Sequence, residues 1–262
     1  MLIYISKKKC YNFIGDNMIF RKKAILLIHG FVGGIYDYGN LQNELQVNRK
    51  FDVYTFTLPG HEKNVVKDVK YEEWIKEAKN QIEFLINHNY KEIYLIGHSM
   101  GGVIAAHLAS IYPQVKKLVL AAPAFRYFYF KDGKVNIKGI NETLKSMPEL
   151  LKEEGKEKVI ERIQKTPITT MMEFTKLVNK YQNDVNNITC PILTIHGLED
   201  KVVPEEGTNY VYESVKSKTN ILVNIKNVTH DCFTQKRKEE VKKIITDFLL
   251  KHPRNKKETI NI

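Results

Sequence analysis

The sequence predicts an α/β fold, a mostly parallel sheet with helices on both faces. Short apolar runs alternate along the chain with longer segments of helical periodicity. The apolar runs are continuous, as is typical of strands buried on both faces. Several of them end at a glycine or a proline, so that loops follow the carboxyl ends of the strands. In sheets of this kind, functional residues collect at that edge.

The elements can be assigned in chain order. Six strands are predicted at residues 24–28, 52–58, 92–96, 117–122, 191–195 and 220–225. A helix at 71–87 is predicted because apolar residues recur at helical spacing at Trp74, Ala78, Ile82 and Leu85. An alanine-rich helix begins near Met100, and further helices are predicted near 204–216 and 236–251. The lysine-rich residues that follow are interpreted as a polar tail.

Residues 124–188 interrupt the alternation of strands and helices. They contain an aromatic run and methionine-bearing helical segments but no convincing buried strand. An insertion at the catalytic end of a sheet is typical of a lid. We therefore predict a core of residues 1–123 and 189–262 and a helical lid at 124–188. The apolar side chains of the lid should mostly pack its own small core, while some line a substrate pocket, with these candidates: Phe125, Tyr127, Met171 and Met172.

The composition narrows the class of protein. The chain of 262 residues is 43% hydrophobic and 27% charged, which is ordinary for a soluble globular protein. No apolar run approaches the roughly 18 residues of a membrane span, so stable membrane insertion is not expected. The three cysteines are widely spread, which predicts neither a disulfide framework nor a metal cluster and favours the cytoplasm. The net charge of +11 comes from scattered lysines rather than arginines, so nucleic-acid binding is not expected.

The segment Gly97-His98-Ser99-Met100-Gly101 carries the most information about function. It places a serine between small residues, directly after an apolar strand and before a helix. A serine on so sharp a turn adopts a strained backbone conformation, which the flanking glycines tolerate. Its hydroxyl then projects at the carboxyl end of the sheet, beside a helix N-terminus. This pattern is typical of the nucleophile elbow of a serine hydrolase.

A serine nucleophile needs a histidine base and a carboxylate that orients the base. In this type of sheet both partners lie on loops after late strands, in the order serine, acid, histidine. His230 fits the position of the base, since His252 lies in the polar tail. Asp200 and Glu199 compete as the acid, and we favour Asp200 because it precedes an apolar pair that would anchor the loop. Asp231 is interpreted as a helix cap.

Two backbone amides are expected to form the oxyanion hole. They belong to Met100, directly after the nucleophile, and to Phe31, in the glycine-rich loop after the first strand. His29 is expected to brace that loop. No catalytic task is assigned to the remaining histidines near strand ends, which are His61, His98 and His196.

The chain resembles the α/β-hydrolases, and among them the small-lidded carboxylesterases and monoacylglycerol-lipase-like members. The resemblance lies in five motifs, in order, between about residues 24 and 250: His29-Gly30-Phe31, Leu58-Pro59-Gly60-His61, Gly97-His98-Ser99-Met100-Gly101-Gly102, residues 197–204, and Thr229-His230-Asp231. It implies a triad of Ser99, Asp200 and His230, which hydrolyses carboxylic esters through an acyl-enzyme without a metal or organic cofactor.

The resemblance implies short-to-medium acyl esters or monoacylglycerols as substrates. Other reactions also occur on this fold, among them thioester and peptide hydrolysis. A protein that keeps the scaffold to bind a small apolar ligand is a further alternative. The intact set of nucleophile, acid, base and oxyanion loop favours an enzyme over such a binding protein.

Overall fold

The computed structural model describes residues 23–48, 50–62, 66–126, 130–131, 134–135, 165–234, 236–252 and 254–262. The main sheet has seven strands in the order β2-β1-β3-β4-β7-β8-β9, and every neighbouring pair is parallel. These strands are β1 (Lys23–Ile28), β2 (Asp52–Thr55), β3 (Glu92–His98), β4 (Val115–Ala121), β7 (Ile192–Gly197), β8 (Thr219–Ile225) and β9 (Lys256–Asn261). The short strands β5 (Phe130–Lys131) and β6 (Lys134–Val135) form a separate antiparallel pair.

Helices cover the main sheet on both sides. They are α1 (Leu41–Val47), α2 (Tyr71–Asn87), α3 (Met100–Ile111), α4 (Ile168–Tyr181), α5 (Glu205–Ser214) and α6 (Lys238–Leu250). Two segments of 3-10 helix occur at Ile35–Tyr38 and Gln182–Asn187.

The burial of β1 explains why helices cover both faces of the sheet. Ala24, Leu26 and Ile28 belong to a core that also contains apolar residues of α2, α3, α4 and α5. Ile25 and Leu27 point the other way, into a core with α1 and α6. A strand buried on both faces has no polar side, which explains its continuous apolar sequence. The predicted fold class, a mostly parallel sheet with helices on both faces, is confirmed.

One predicted strand was too long, and one strand of the sheet was not predicted. The strand β2 ends at Thr55 rather than at residue 58, and its continuation becomes the loop that carries Pro59 and His61. The residues interpreted as a polar tail include β9, which pairs in parallel with β8 at the sheet edge. Most side chains of β9 are exposed, so the segment lacks the apolar signal on which strand prediction depends.

Part of the predicted lid can be described. The helix α4 packs Phe174, Leu177 and Val178 into the same core as α3. Most of residues 127–164, including Tyr127, lie outside the described residues. The boundaries of the lid therefore stay a prediction. In the described part of the chain, no helix combines the length and apolar character needed to cross a bilayer.

A buried lysine joins the sheet to the end of α6. Lys117, on β4, is only 5% exposed. Its Nζ donates hydrogen bonds to the carbonyl oxygens of Phe248 (2.8 Å), Leu249 (2.8 Å) and Lys251 (2.6 Å). The last carbonyls of a helix have no partner within the helix, and they carry the negative end of its dipole. The ammonium group therefore supplies both the missing donors and a compensating charge.

We predict that Lys117→Met lowers the free energy of unfolding by about 2 to 4 kcal/mol, because it leaves helix-end carbonyls without donors. Urea unfolding followed by circular dichroism measures the change. The matched control is Lys116→Met, since Lys116 is exposed on the same strand and should change stability by less than about 0.5 kcal/mol. Equal effects of the two substitutions would contradict this assignment.

Candidate active site

Ser99 lies on the turn between β3 and α3 and has a backbone conformation with positive φ, at φ 53° and ψ −119°. Such a conformation is unfavourable for a residue with a side chain and persists only where its surroundings enforce it. Here the Ser99 N–H donates to the carbonyl of Ala121 on β4 (3.0 Å). Its own carbonyl accepts from the amides of Gly102 (2.9 Å) and Ala124 (3.1 Å). The turn is thus fixed to the neighbouring strand and to its own helix.

The glycines around Ser99 allow the helix to approach the sheet. A Cβ atom on Gly101 would lie 1.9 Å from the carbonyl oxygen of Ile28 at the end of β1. A Cβ atom on Gly97 would lie 2.4 Å from the carbonyl oxygen of Gly101. Both distances are far inside van der Waals contact, so no larger residue fits without moving backbone. The spacing recognised in the sequence therefore has a steric cause.

Asp200 and His230 are brought together from different loops. Asp200 follows β7 and His230 follows β8, and parallel pairing of these strands places both loops at one edge of the sheet. The Nδ1 of His230 lies 2.8 Å from the Oδ2 of Asp200. The other oxygen, Oδ1, accepts from the amides of Val202 (2.8 Å) and Val203 (2.9 Å). The carboxylate is therefore fully bonded and cannot turn away from the histidine.

The carboxyl group of Asp200 is held in its ionised form. Its side chain has no exposed surface. Burial alone would raise the pKa of Asp200, but the charge and hydrogen bond of His230, together with the two amide donors, lower it overall. An ionised carboxylate beside Nδ1 keeps a proton on that nitrogen. It leaves Nε2 as the nitrogen that can accept a proton from a substrate or a nucleophile.

The competing acid, Glu199, has a different position. Its Oε2 accepts from the amide of Val228 (2.9 Å), and its own amide donates to the carbonyl of Val228 (3.0 Å). A Cβ atom on Gly197 would lie 2.2 Å from that same carbonyl oxygen, so the two loops run in close contact. Glu199 joins the loop of Asp200 to the loop of His230, whereas Asp200 contacts the imidazole.

The loop after β1 is held by side chains that bind its amides. Asp37 accepts from the amide of Gly30 through Oδ2 (3.1 Å) and from that of Gly34 through Oδ1 (3.0 Å). The amide of Val32 donates to the Nε2 of His61 (3.3 Å), and that of Gly33 to the carbonyl of Gly30 (3.2 Å). In the part of the chain that the structure describes, Phe31 has the one amide of residues 30–34 without an internal acceptor.

His29 and His61 brace this loop as neutral imidazoles. The Nδ1 of His29 faces the carbonyl of Gly30 (2.9 Å) and its Nε2 accepts from the amide of Leu58 (2.9 Å). In His61, Nδ1 faces the carbonyl of Pro59 (3.1 Å), while Nε2 accepts from Val32. Each ring therefore needs one proton-bearing and one bare nitrogen. Burial, together with His29, lowers the pKa of His61 to about 4.

The predicted pocket residues have different environments. Phe125 has no exposed surface and belongs to the core that contains α3. Met171 is half-buried, whereas Met172 is 53% exposed. The role of these residues stays a prediction, as does that of Tyr127. The interpretation of Asp231 as a helix cap was wrong, because α6 begins at Lys238 and Asp231 instead accepts from the hydroxyl of Thr234.

Several residues that organise the site were not assigned a role from the sequence. Asp37 and His61 bind the amides of the loop after β1, and Glu199 bonds to the loop of the predicted base. His98 contacts His230, since its Nε2 lies 3.0 Å from the His230 carbonyl oxygen. Asp37 lies seven residues after Gly30, and this spacing matched no motif used in the sequence analysis. Its role was therefore not predicted.

Comparison with known proteins identifies the family. Residues 21–237 match the Hydrolase_4 family, described as serine aminopeptidase, S33, and the chain belongs to this family. It is 26% identical to a carboxylesterase of Bacillus subtilis (strain 168) over 241 residues, which cover 87% of this chain and 93% of the relative. It is 22% identical to a thermostable monoacylglycerol lipase of Bacillus sp. (strain H-257) over 209 residues, which cover 79% and 82%.

A solved structure shares the fold. The monoacylglycerol lipase of Paleococcus ferrophilus superposes with a TM-score of 0.66 at 22% identity, covering 86% of this chain and 93% of that one. The protein is thus an α/β-hydrolase of the esterase and lipase type. The predicted resemblance to carboxylesterases and monoacylglycerol lipases is confirmed.

Proposed function

We propose that this protein is a serine esterase whose nucleophile is Ser99, whose base is His230 and whose orienting acid is Asp200. The observation that carries the proposal is the 2.8 Å bond between His230 and the buried Asp200 at the edge of the sheet where Ser99 forms its turn. An imidazole oriented by a buried carboxylate, at the same edge of the sheet as a strained serine, is the arrangement that the activation of a hydroxyl group requires.

The reaction proceeds by two acyl transfers. The Oγ of Ser99 attacks the ester carbonyl carbon while its proton passes to the Nε2 of His230. The tetrahedral intermediate collapses, the bond to the alcohol oxygen breaks, and His230 gives its proton to the departing alkoxide. A water molecule then attacks the acyl-enzyme, losing its proton to His230, and the carboxylic acid leaves as Ser99 regains a proton. Asp200 holds the imidazole in the tautomer that both steps require.

The amides of Phe31 and Met100 would stabilise the oxyanion of both intermediates. Met100 is the first residue of α3, where an N–H group has no acceptor within the helix and lies at the positive end of the dipole. Phe31 lies in a loop whose other amides are bound to the protein, which fixes its direction before substrate arrives. Donors that need no reorganisation stabilise developing charge most effectively.

The apolar residues near the loop after β1 support the proposed substrate class. The ring of Phe31 stacks on that of Phe174 in α4, with centroids 4.9 Å apart, and Met171 is one turn before it on the same helix. These apolar side chains favour the acyl chain of a short-to-medium ester or of a monoacylglycerol. The names of the relatives agree with such substrates. The family description makes peptide hydrolysis the second candidate, since the same machinery attacks amides.

We predict that Ser99→Ala lowers hydrolysis of p-nitrophenyl esters by at least about 10⁴-fold, because no other group can form the acyl-enzyme. It should also abolish labelling by a fluorophosphonate probe. The control is Ser110→Ala, a substitution on the same helix, which should label and hydrolyse like the unchanged protein. Hydrolysis by the Ser99 variant within tenfold of normal, with its fold intact by circular dichroism, would refute the assignment.

The two candidate acids can be separated by matched amide substitutions. We predict that Asp200→Asn lowers kcat by about 10³- to 10⁴-fold, because an amide no longer enforces the required imidazole tautomer. Glu199→Gln should change kcat by less than about fivefold, since a glutamine oxygen can still accept from Val228. Steady-state kinetics on one ester measures both. The reverse order of effects would assign the role to Glu199.

We predict that kcat/KM across a series of p-nitrophenyl esters peaks at a short-to-medium chain length. Each added methylene group gains apolar contact until the acyl chain extends beyond these apolar side chains. The same series should include 1-monoacylglycerols, an acyl thioester and an aminoacyl p-nitroanilide. Preference for the anilide would favour the peptidase alternative. Absence of turnover on every member, with no fluorophosphonate labelling, would favour a binding protein.

A further inference from the structure

His98, the residue before the proposed nucleophile, differs from the other buried histidines of the site in what its two nitrogens face. In His29 and His61, one nitrogen faces a carbonyl oxygen and the other accepts from an amide. In His98 both nitrogens face acceptors. Nε2 lies 3.0 Å from the carbonyl oxygen of His230, and Nδ1 lies 3.7 Å from the Oδ2 of Asp37.

A doubly protonated ring satisfies both of these contacts. A carbonyl oxygen can only accept, so the Nε2 of His98 must carry a proton. A neutral ring would then direct the lone pair of Nδ1 at the carboxylate of Asp37, in a region that excludes water. With a second proton, the same contact becomes an ion pair between two buried groups, and the repulsion is removed.

We propose that His98 is a protonated positioning residue, which, paired with Asp37, fixes the main chain of His230 relative to the oxyanion loop. This inference rests on the proposed function of His230. His98 does not touch the reacting atoms, and its effect on the reaction passes through the carbonyl group of His230.

The contacts of Asp37 explain how one ion pair serves two parts of the site. The carboxylate that faces His98 also accepts from the amides of Gly30 and Gly34, on either side of Phe31. The imidazolium in turn holds the His230 carbonyl, and the two rings lie 5.0 Å apart between centroids. The amide of Cys232 adds a second donor to that carbonyl (3.1 Å). The base is therefore held at its main chain by His98 and at its ring by Asp200.

The titratable groups near His98 determine its charge. They come from the loop after β1, the adjoining 3-10 helix and the loop after β8: His29, Asp37, Tyr38, His230, Asp231 and Cys232. Burial alone would lower the pKa of His98, but Asp37, the His230 carbonyl and Asp231 together raise it above its ordinary value. His98 is therefore fully protonated below the ordinary histidine pKa and loses its charge as the pH rises through the raised value.

The charge of His98 can be measured without any enzymatic reaction. In protein labelled with ¹⁵N-histidine, we expect both nitrogens of His98 to carry protons at pH 7 and to lose one at higher pH. The signals are assigned by their absence from His98→Gln. Asp37→Asn should restore a neutral ring at pH 7. A neutral His98 at pH 7 in the unchanged protein would overturn the proposal, even if hydrolysis is normal.

The positioning role is tested by kinetics on active-site-titrated enzyme. His98→Leu removes the donor and should lower kcat by about 10- to 100-fold with KM within about threefold, since a small displacement of the base slows the chemical step. His98→Gln keeps an uncharged donor and should recover most of kcat. The Gln variant should also lack the fall in kcat at high pH that loss of the His98 charge causes in the unchanged protein. The control is His252→Leu at an exposed histidine.

Other outcomes are equally decisive. A folded His98→Leu variant with kcat within twofold of normal would overturn the positioning role, as would a Gln variant with the same alkaline decline as the unchanged protein. If the Leu variant does not fold, the Gln variant and the ¹⁵N titration still decide. Failure of the proposed esterase function looks different, because the unchanged protein would then neither hydrolyse esters nor react with a fluorophosphonate.

Discussion

The close passage of α3 beneath the end of β1 is the constraint on which the site depends. The helix can begin there only because Gly101 brings no Cβ atom to the carbonyl of Ile28, 1.9 Å away from where that atom would lie. With the helix in this position, the chain must turn sharply after β3, and Ser99 takes up its positive-φ conformation at that turn. The other loops of the site then assemble around a serine whose direction is already set by the sheet.

Two carboxylates organise these loops in the same way. Asp200 binds the amides of Val202 and Val203 with one oxygen and faces His230 with the other. Asp37 binds the amides of Gly30 and Gly34 and faces His98. Each acid thus folds its own loop and orients one imidazole. Stability of the loops and alignment of the histidines therefore have the same physical origin, and a substitution at either acid changes both.

The sequence predicted those parts of the structure that repeat along the chain. Strands buried on both faces and the helix at 71–87 leave a strong periodic signal, and the elbow requires glycines at fixed distances from Ser99. The strand β9 was not predicted because most of its side chains are solvated and it pairs with β8 mainly through the backbone, with one side-chain hydrogen bond from Asn224 to Asn261. The role of His98 was not predicted either, because its partners Asp37 and His230 lie 61 positions before it and 132 positions after it in the sequence.

Because His61 is neutral, the loop after β1 is destabilised by acid. Its bare nitrogen receives the amide of Val32, and burial, with His29 nearby, keeps its pKa at about 4. Below the ordinary histidine pKa, His61 binds a proton in the unfolded chain but not in the folded protein. The free energy of unfolding therefore decreases as the pH falls to about 4. Below that, the nitrogen no longer accepts, and the Val32 amide loses its anchor. The stability of this loop in acid thus depends on an imidazole that takes no part in the proposed reaction.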